Sequence, residues 1–174
     1  MDSQQIELIG RNRLVNELLE AGLEVARPER DHGIDLIVYA EQPTFVAMPI
    51  QMKAASKESF NVDRKYEKTP NLLLVFIWNL RNGEEPATYA LTYREAETVA
   101  ETMGWTKTPS WNTGGKHGTK ARGYGTRNPS SRLMELLKPF RMTPEKWREK
   151  ITAAVHRQEG VSRPEEVMAV DVAP

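Results

Sequence analysis

The run Leu72-Leu73-Leu74-Val75-Phe76-Ile77-Trp78 constrains this chain more than any other segment. It is far too short to cross a membrane as a helix. Pro70-Asn71 precedes it and the turn Arg81-Asn82-Gly83 follows, so its length and composition are those of a strand. Side chains alternate across a strand, and an unbroken apolar run therefore needs apolar cover on both faces. A chain built around it must place a sheet between two other layers.

The segments around it supply those layers. From Gln5 to Ala21, Leu8, Leu14, Val15, Leu18 and Leu19 recur at helical spacing, and Gly22 follows as a stop. Leu23–Ala26 reads as a short strand. Ile34–Tyr39 and Thr44–Lys53 read as longer strands joined by the Glu41-Gln42-Pro43 turn, as partners in a hairpin. A short helix is expected around Asn61–Tyr66, and a further strand over Ala87–Leu91. Thr92 and Glu95 have the spacing of a capping box, which predicts a helix from Tyr93 to about Met103, ending at Gly104. Residues 107–129 hold five glycines and read as one long flexible loop. Helices follow over Arg132–Leu137 and Pro144–His156, the second with Thr143 as N-cap and Pro144 in its first turn. The order is not one of regular βαβ units; it predicts a mixed sheet flanked by helices with a C-terminal helical extension. A length of 174 residues suits one domain. Its expected extent is residues 1–157, with a core over 5–103, the basic loop over 107–129, helices over 130–157 and a polar tail over 158–174.

Several function classes are excluded. There is no cysteine, hence no disulfide, thiolate metal site or thiol nucleophile. That composition fits a reducing cytoplasm. The first residues lack the basic and apolar build of a signal peptide, so a soluble, intracellular protein without a membrane partner is expected. His32, His117 and His156 have no zinc-site spacing, Gly115-Lys116 lacks the rest of a phosphate loop, and no Gly-X-Ser-X-Gly elbow occurs. The neutral net charge hides an asymmetry: residues 1–101 carry 17 acidic against 11 basic side chains, while residues 102–174 carry 7 against 13. Between Thr102 and Met134 there is no acid at all. Lys116, Lys120, Arg122 and Arg127 lie in that stretch, which suits either a polyanion or simple solvation.

The chemistry concentrates in Gly33-Ile34-Asp35 and Gln51-Met52-Lys53. Gln51 and Lys53 share one strand face, and the hairpin would bring Asp35 beside them. Phosphodiester hydrolysis needs a nucleophilic water and charge stabilisation at the phosphoryl oxygens. A carboxylate, an amide oxygen and a backbone carbonyl suit a hard cation that keeps several waters, and Lys53 would serve the attacking water or the transition state.

These residues resemble the motif of the PD-(D/E)XK nuclease superfamily, especially its branches related to Holliday-junction resolvases and restriction endonucleases, in a Gln-X-Lys form. The order of elements through Trp78 is similar too. The resemblance implies a restriction-endonuclease-like core, Mg²⁺ or Mn²⁺ as cofactor, and DNA as substrate. It also implies catalysis by Asp35, Gln51 and Lys53 with an acid from the first helix. Glu7 is the choice for that acid because it shares a face with Gly10, Leu14 and Leu18, whereas Glu17 lies further round; Glu7 would equally serve as a solvated acid at the helix start. In this reading Asp35, Gln51 and Glu7 surround the metal, and Lys116, Lys120, Arg122 and Arg127 hold nucleic acid, with Tyr124 or Trp111 stacking on a base. Cutting two strands favours a homodimer. Because Gln51 is a neutral ligand, a nuclease-fold module that binds without cutting is a second reading. A protein-interaction domain using Leu137, Phe140 and Trp147 is a third.

Overall fold

The computed structural model describes residues 2–30, 33–41, 44–69, 71–81, 83–115 and 121–159, with 154–159 as helix backbone. Helix α1 (Ser3–Glu20) opens the chain, capped by the Asp2 side chain, which accepts from the Gln5 N–H at 2.9 Å. Strands β1 (Glu24–Ala26), β2 (Leu36–Ala40) and β3 (Val46–Ala54) follow, then β4 (Phe60–Asp63) and a 3-10 turn over Arg64–Lys68. Strands β5 (Leu73–Trp78) and β6 (Ala87–Thr92) lead into helix α2 (Tyr93–Thr102). The remainder is α3 (Pro109–Thr113), β7 (Gly123–Thr126), α4 (Ser131–Leu137) and α5 (Pro144–Glu159).

Five strands form one mixed sheet in the order β1-β2-β3-β5-β6. All its neighbours are antiparallel except β3 and β5, which run parallel from Ile50↔Leu73 to Ala54↔Ile77. Pro49, which has no N–H to offer, precedes that parallel ladder. As the apolar run requires, every residue of β5 is buried. One face of the sheet, with Leu36, Val38, Ile50, Met52, Leu73 and Val75, packs under α1 and α5. The other, with Leu74, Phe76, Trp78, Tyr89 and Leu91, is covered by α2, α4, Trp105, Trp111 and β4. The capping box at α2 is present as its sequence predicts, with Thr92 and Glu95 exchanging side-chain and backbone hydrogen bonds. No helix among the described residues is long and apolar enough to cross a membrane.

Four expectations are corrected. Residues 60–63 form a strand, and the helical turn starts at Arg64. The supposed loop over 107–129 contains α3 and β7, and β7 pairs antiparallel with β4. Gly123 and Gly125 allow that pairing: a Cβ at Gly123 would stand 2.2 Å from the Val62 carbonyl oxygen, and one at Gly125 2.4 Å from Asn61 Cβ. Leu8 and Leu19 are exposed, because α1 turns Gly10, Leu14 and Leu18 to the sheet. Leu137, Trp147 and Trp111 are core residues at 0%, 1% and 3% exposure, so the first two form no docking surface and Trp111 no platform for a base. Burying a large ring outweighs leaving it for a partner when two layers close over it.

Candidate functional site

Asp35 stands immediately before β2, and its N–H donates to the Ile50 carbonyl at 2.8 Å. The register pairs Leu36 with Ile50, which sets Asp35 opposite Gln51. Leu36, Ile50 and Met52 face α1 and α5, so Asp35, Gln51 and Lys53 share the opposite face. Oδ2 of Asp35 accepts two hydrogen bonds at 2.6 Å, from Gln51 Nε2 and from the Met52 N–H. The three residues named from the hairpin pattern are thus gathered at one end of two adjacent strands.

Two further side chains join them. The Tyr66 hydroxyl, on the 3-10 turn, donates to Gln51 Oε1 at 3.1 Å. Lys53 Nζ lies 3.6 Å from Asp63 Oδ2 and 5.8 Å from the Tyr66 ring centroid, with Lys65 Nζ on the same ring at 4.8 Å. Burial pushes the Tyr66 hydroxyl above the ordinary phenol range, an effect Lys65 partly offsets, so Tyr66 remains a protonated donor at neutral pH. Sequence reasoning missed both Asp63 and Tyr66. The available signal was the strict alternation Phe60-Asn61-Val62-Asp63, a strand pattern read as a helix.

Glu7 is exposed on α1 and pairs with Arg11 Nη2. Arg11 in turn lines a cleft of about 140 Å³ together with Arg27, Pro28, Ile34 and Asp35. One ion pair therefore separates Glu7 from the surroundings of Asp35. Glu17 is committed elsewhere, accepting from the Thr88 hydroxyl on β6 at 2.9 Å and pairing with Arg13. Arg122 and Arg127 are exposed at the two ends of β7. The four residues of β7 lie between them, and five strand steps set them about 17 Å apart. Tyr124, on the strand between them, packs on Trp105 with centroids 4.8 Å apart. Lys116, Lys120, His32 and His117 lie outside the described residues.

Among the described residues no three acidic or histidine side chains gather as a metal-holding group. The oxygen donors near Asp35 are its carboxylate and backbone carbonyls; Gln51 turns its Nε2 to Asp35 and its amide oxygen to Tyr66, so that oxygen joins them on rotation of the amide. That set fits a hard cation such as Mg²⁺ or Mn²⁺ that retains several waters, and not a zinc site with nitrogen or sulfur ligands.

A five-stranded mixed sheet between helical layers, with polar groups collected at one end of two adjacent strands, defines a mixed α/β fold. A solved bacterial homing endonuclease, I-Ssp6803I, has a similar fold: the TM-score is 0.50 over 91% of this chain and 98% of that one, at 13% sequence identity. No protein-family model matches the sequence, and no curated protein does.

Proposed function

We propose that this chain is a divalent-metal-dependent endonuclease that hydrolyses phosphodiester bonds of DNA. The observation that carries the reading is that Asp35, Gln51 and Lys53 share one face of two adjacent strands, with Gln51 Nε2 donating to Asp35 Oδ2 at 2.6 Å. The fold likeness to a homing endonuclease along nearly the whole chain supports it. The site belongs in this reading to the PD-(D/E)XK type in its Gln-X-Lys form.

Asp35 and Gln51, the latter with its amide oxygen turned inward, would hold Mg²⁺ or Mn²⁺, while Glu7 stays paired with Arg11. When bound, such an ion neutralises phosphoryl oxygens and makes a bound water more acidic. Lys53 orients the attacking water and faces the negative charge of the transition state; Asp63 and the Tyr66 ring hold its ammonium in place. The Tyr66 hydroxyl hydrogen-bonds the Gln51 amide and would do so with that amide turned either way. Arg122 and Arg127, with Lys116 and Lys120, hold the sugar-phosphate backbone. Two copies of the chain would serve the two strands of a duplex.

The test is cleavage of plasmid and branched DNA with Mg²⁺, Mn²⁺ or EDTA. Asp35→Ala and Lys53→Ala are each expected to lower cleavage at least about 100-fold, the scale of losing one charge-stabilising group, with unchanged circular dichroism. Undiminished cleavage by either variant sinks the assignment. A second reading, a nuclease-fold module that binds DNA without cutting it, is favoured by one feature: a neutral amide N–H, not a second carboxylate, sits against Asp35 Oδ2. Metal-independent DNA binding by a wild-type chain that cuts nothing would select it.

A further inference from the structure

The structure gives the α1 acid a partner, and that partner opens onto a cleft. Arg11, from α1, and Arg27, just past the end of β1, form two of its walls, with Pro28, Ile34 and Asp35 as the others. Arg27 is exposed and has no acidic partner among the described residues. Arg11 is half-buried; Glu7 meets one of its terminal nitrogens, while its Nε is buried and meets no acceptor among the described residues. The acids nearby are already engaged, Glu7 by Arg11 and Asp35 Oδ2 by Gln51 and the Met52 N–H. Among the described residues the cleft therefore holds two guanidinium forks whose donors outnumber the acceptors that meet them. An acceptor-rich, planar or tetrahedral anion matches that surplus best.

We propose that this cleft is a subsite for a phosphodiester group next to the one cut, with Arg11 and Arg27 as its binding residues and Glu7 as the group that positions Arg11. The proposal rests on the nuclease reading for what binds there, and not on cutting. Asp35 and Ile34 supply the geometry. Their stretch of chain forms a wall of this cleft, and Gly33 and Ile34 form a wall of the neighbouring one that contains Lys65 and Tyr66. A backbone crossing the end of the sheet would pass Arg27 and Arg11 in one cleft and Lys65 and Tyr66 in the next, with Gly33, Ile34 and Asp35 between them. Consecutive phosphates would then meet the arginines and the reacting centre.

The experiment measures binding of a short duplex and a single strand to the full chain in EDTA, at a series of salt concentrations, for wild type, Arg27→Gln, Arg11→Gln, the double variant and Glu7→Gln. Each phosphate that no longer meets an arginine is expected to flatten the slope of log affinity against log salt by about 0.9 on duplex DNA and about 0.7 on a single strand. Arg27→Gln should show one such step and the double variant two. Arg27 is exposed, so its variant carries the test if Arg11→Gln misfolds. Glu7→Gln should tighten binding, because Arg11 loses its counter-charge; a merely structural surface pair would leave affinity unchanged. Wild-type binding with the same slope in Arg27→Gln and the double variant overturns the subsite and leaves the nuclease reading standing. A flatter slope in a chain that cleaves nothing with Mg²⁺ or Mn²⁺ upholds the subsite and overturns the nuclease reading. Absence of any DNA binding by wild type overturns both.

Discussion

Gln51 holds two groups at once: its Nε2 donates to Asp35 Oδ2 at 2.6 Å, and its Oε1 accepts from Tyr66 at 3.1 Å. A hydroxyl both donates and accepts, so Tyr66 satisfies the amide in either orientation, including the one that turns the carbonyl oxygen toward Asp35. Gln51→Glu exchanges the donor against Asp35 for a second carboxylate. Two like charges that close repel, and a divalent cation relieves the repulsion. The variant should bind Mg²⁺ at least about tenfold more tightly, about 1.4 kcal/mol, by calorimetric titration. Weaker or unchanged binding removes Gln51 from the ligands of the ion.

α1 reaches β3 at Gly10, where an added Cβ would stand 2.6 Å from Ala54 Cβ. Neither atom is the end of a flexible side chain, so a methyl group at this position forces the helix off the strand. Alanine is worth up to about 1 kcal/mol over glycine in a helix, while overpacking a tight contact costs about 1–3 kcal/mol. The clash should win: Gly10→Ala is expected to lose about 1–2 kcal/mol in denaturant unfolding, and Ala54→Gly placed with it to recover most of the loss. Since Arg11 follows Gly10 and Lys53 precedes Ala54, the single variant should also weaken DNA binding. A stable Gly10→Ala protein with full binding would show that the helix has room to move without cost.

The layers on the two faces of the sheet are tied at the β6 edge, where Lys150 of α5 donates to Glu95 of α2 at 2.8 Å. Burial opposes the charge on Glu95, yet the hydrogen bonds from Lys150 and from the Thr92 N–H prevail and hold its carboxyl below the usual range. A carboxyl whose pKa is lower folded than unfolded stabilises the fold above the unfolded value of about 4.3, and loses that contribution as pH falls through the folded value. Glu95→Gln should therefore melt below wild type at pH 7, and the gap should narrow as pH falls to 3. An equal gap at both pH values would show that the pair contributes shape and not charge.

Local patterns determined much of this by themselves. The apolar run of β5 specifies a strand covered on both faces, and the Thr92–Glu95 capping box starts α2 where its spacing says. The hairpin brings Asp35 to Gln51, sixteen residues on, because alternation sets both the face and the register of two neighbouring strands. Tertiary packing alone decided the rest. Asp63 and Tyr66 reach Lys53 and Gln51 because β4 pairs with β7, two four-residue strands far apart in sequence, and alternation within one strand does not name its partner. Arg11 and Arg27 share a cleft only because α1 lies across the strands beside β2. Which tryptophans and leucines are buried was settled the same way: helical spacing allowed Leu8 and Leu19 to face inward, but the sheet meets α1 at Gly10, Leu14 and Leu18, and a helix has only one side to turn toward it.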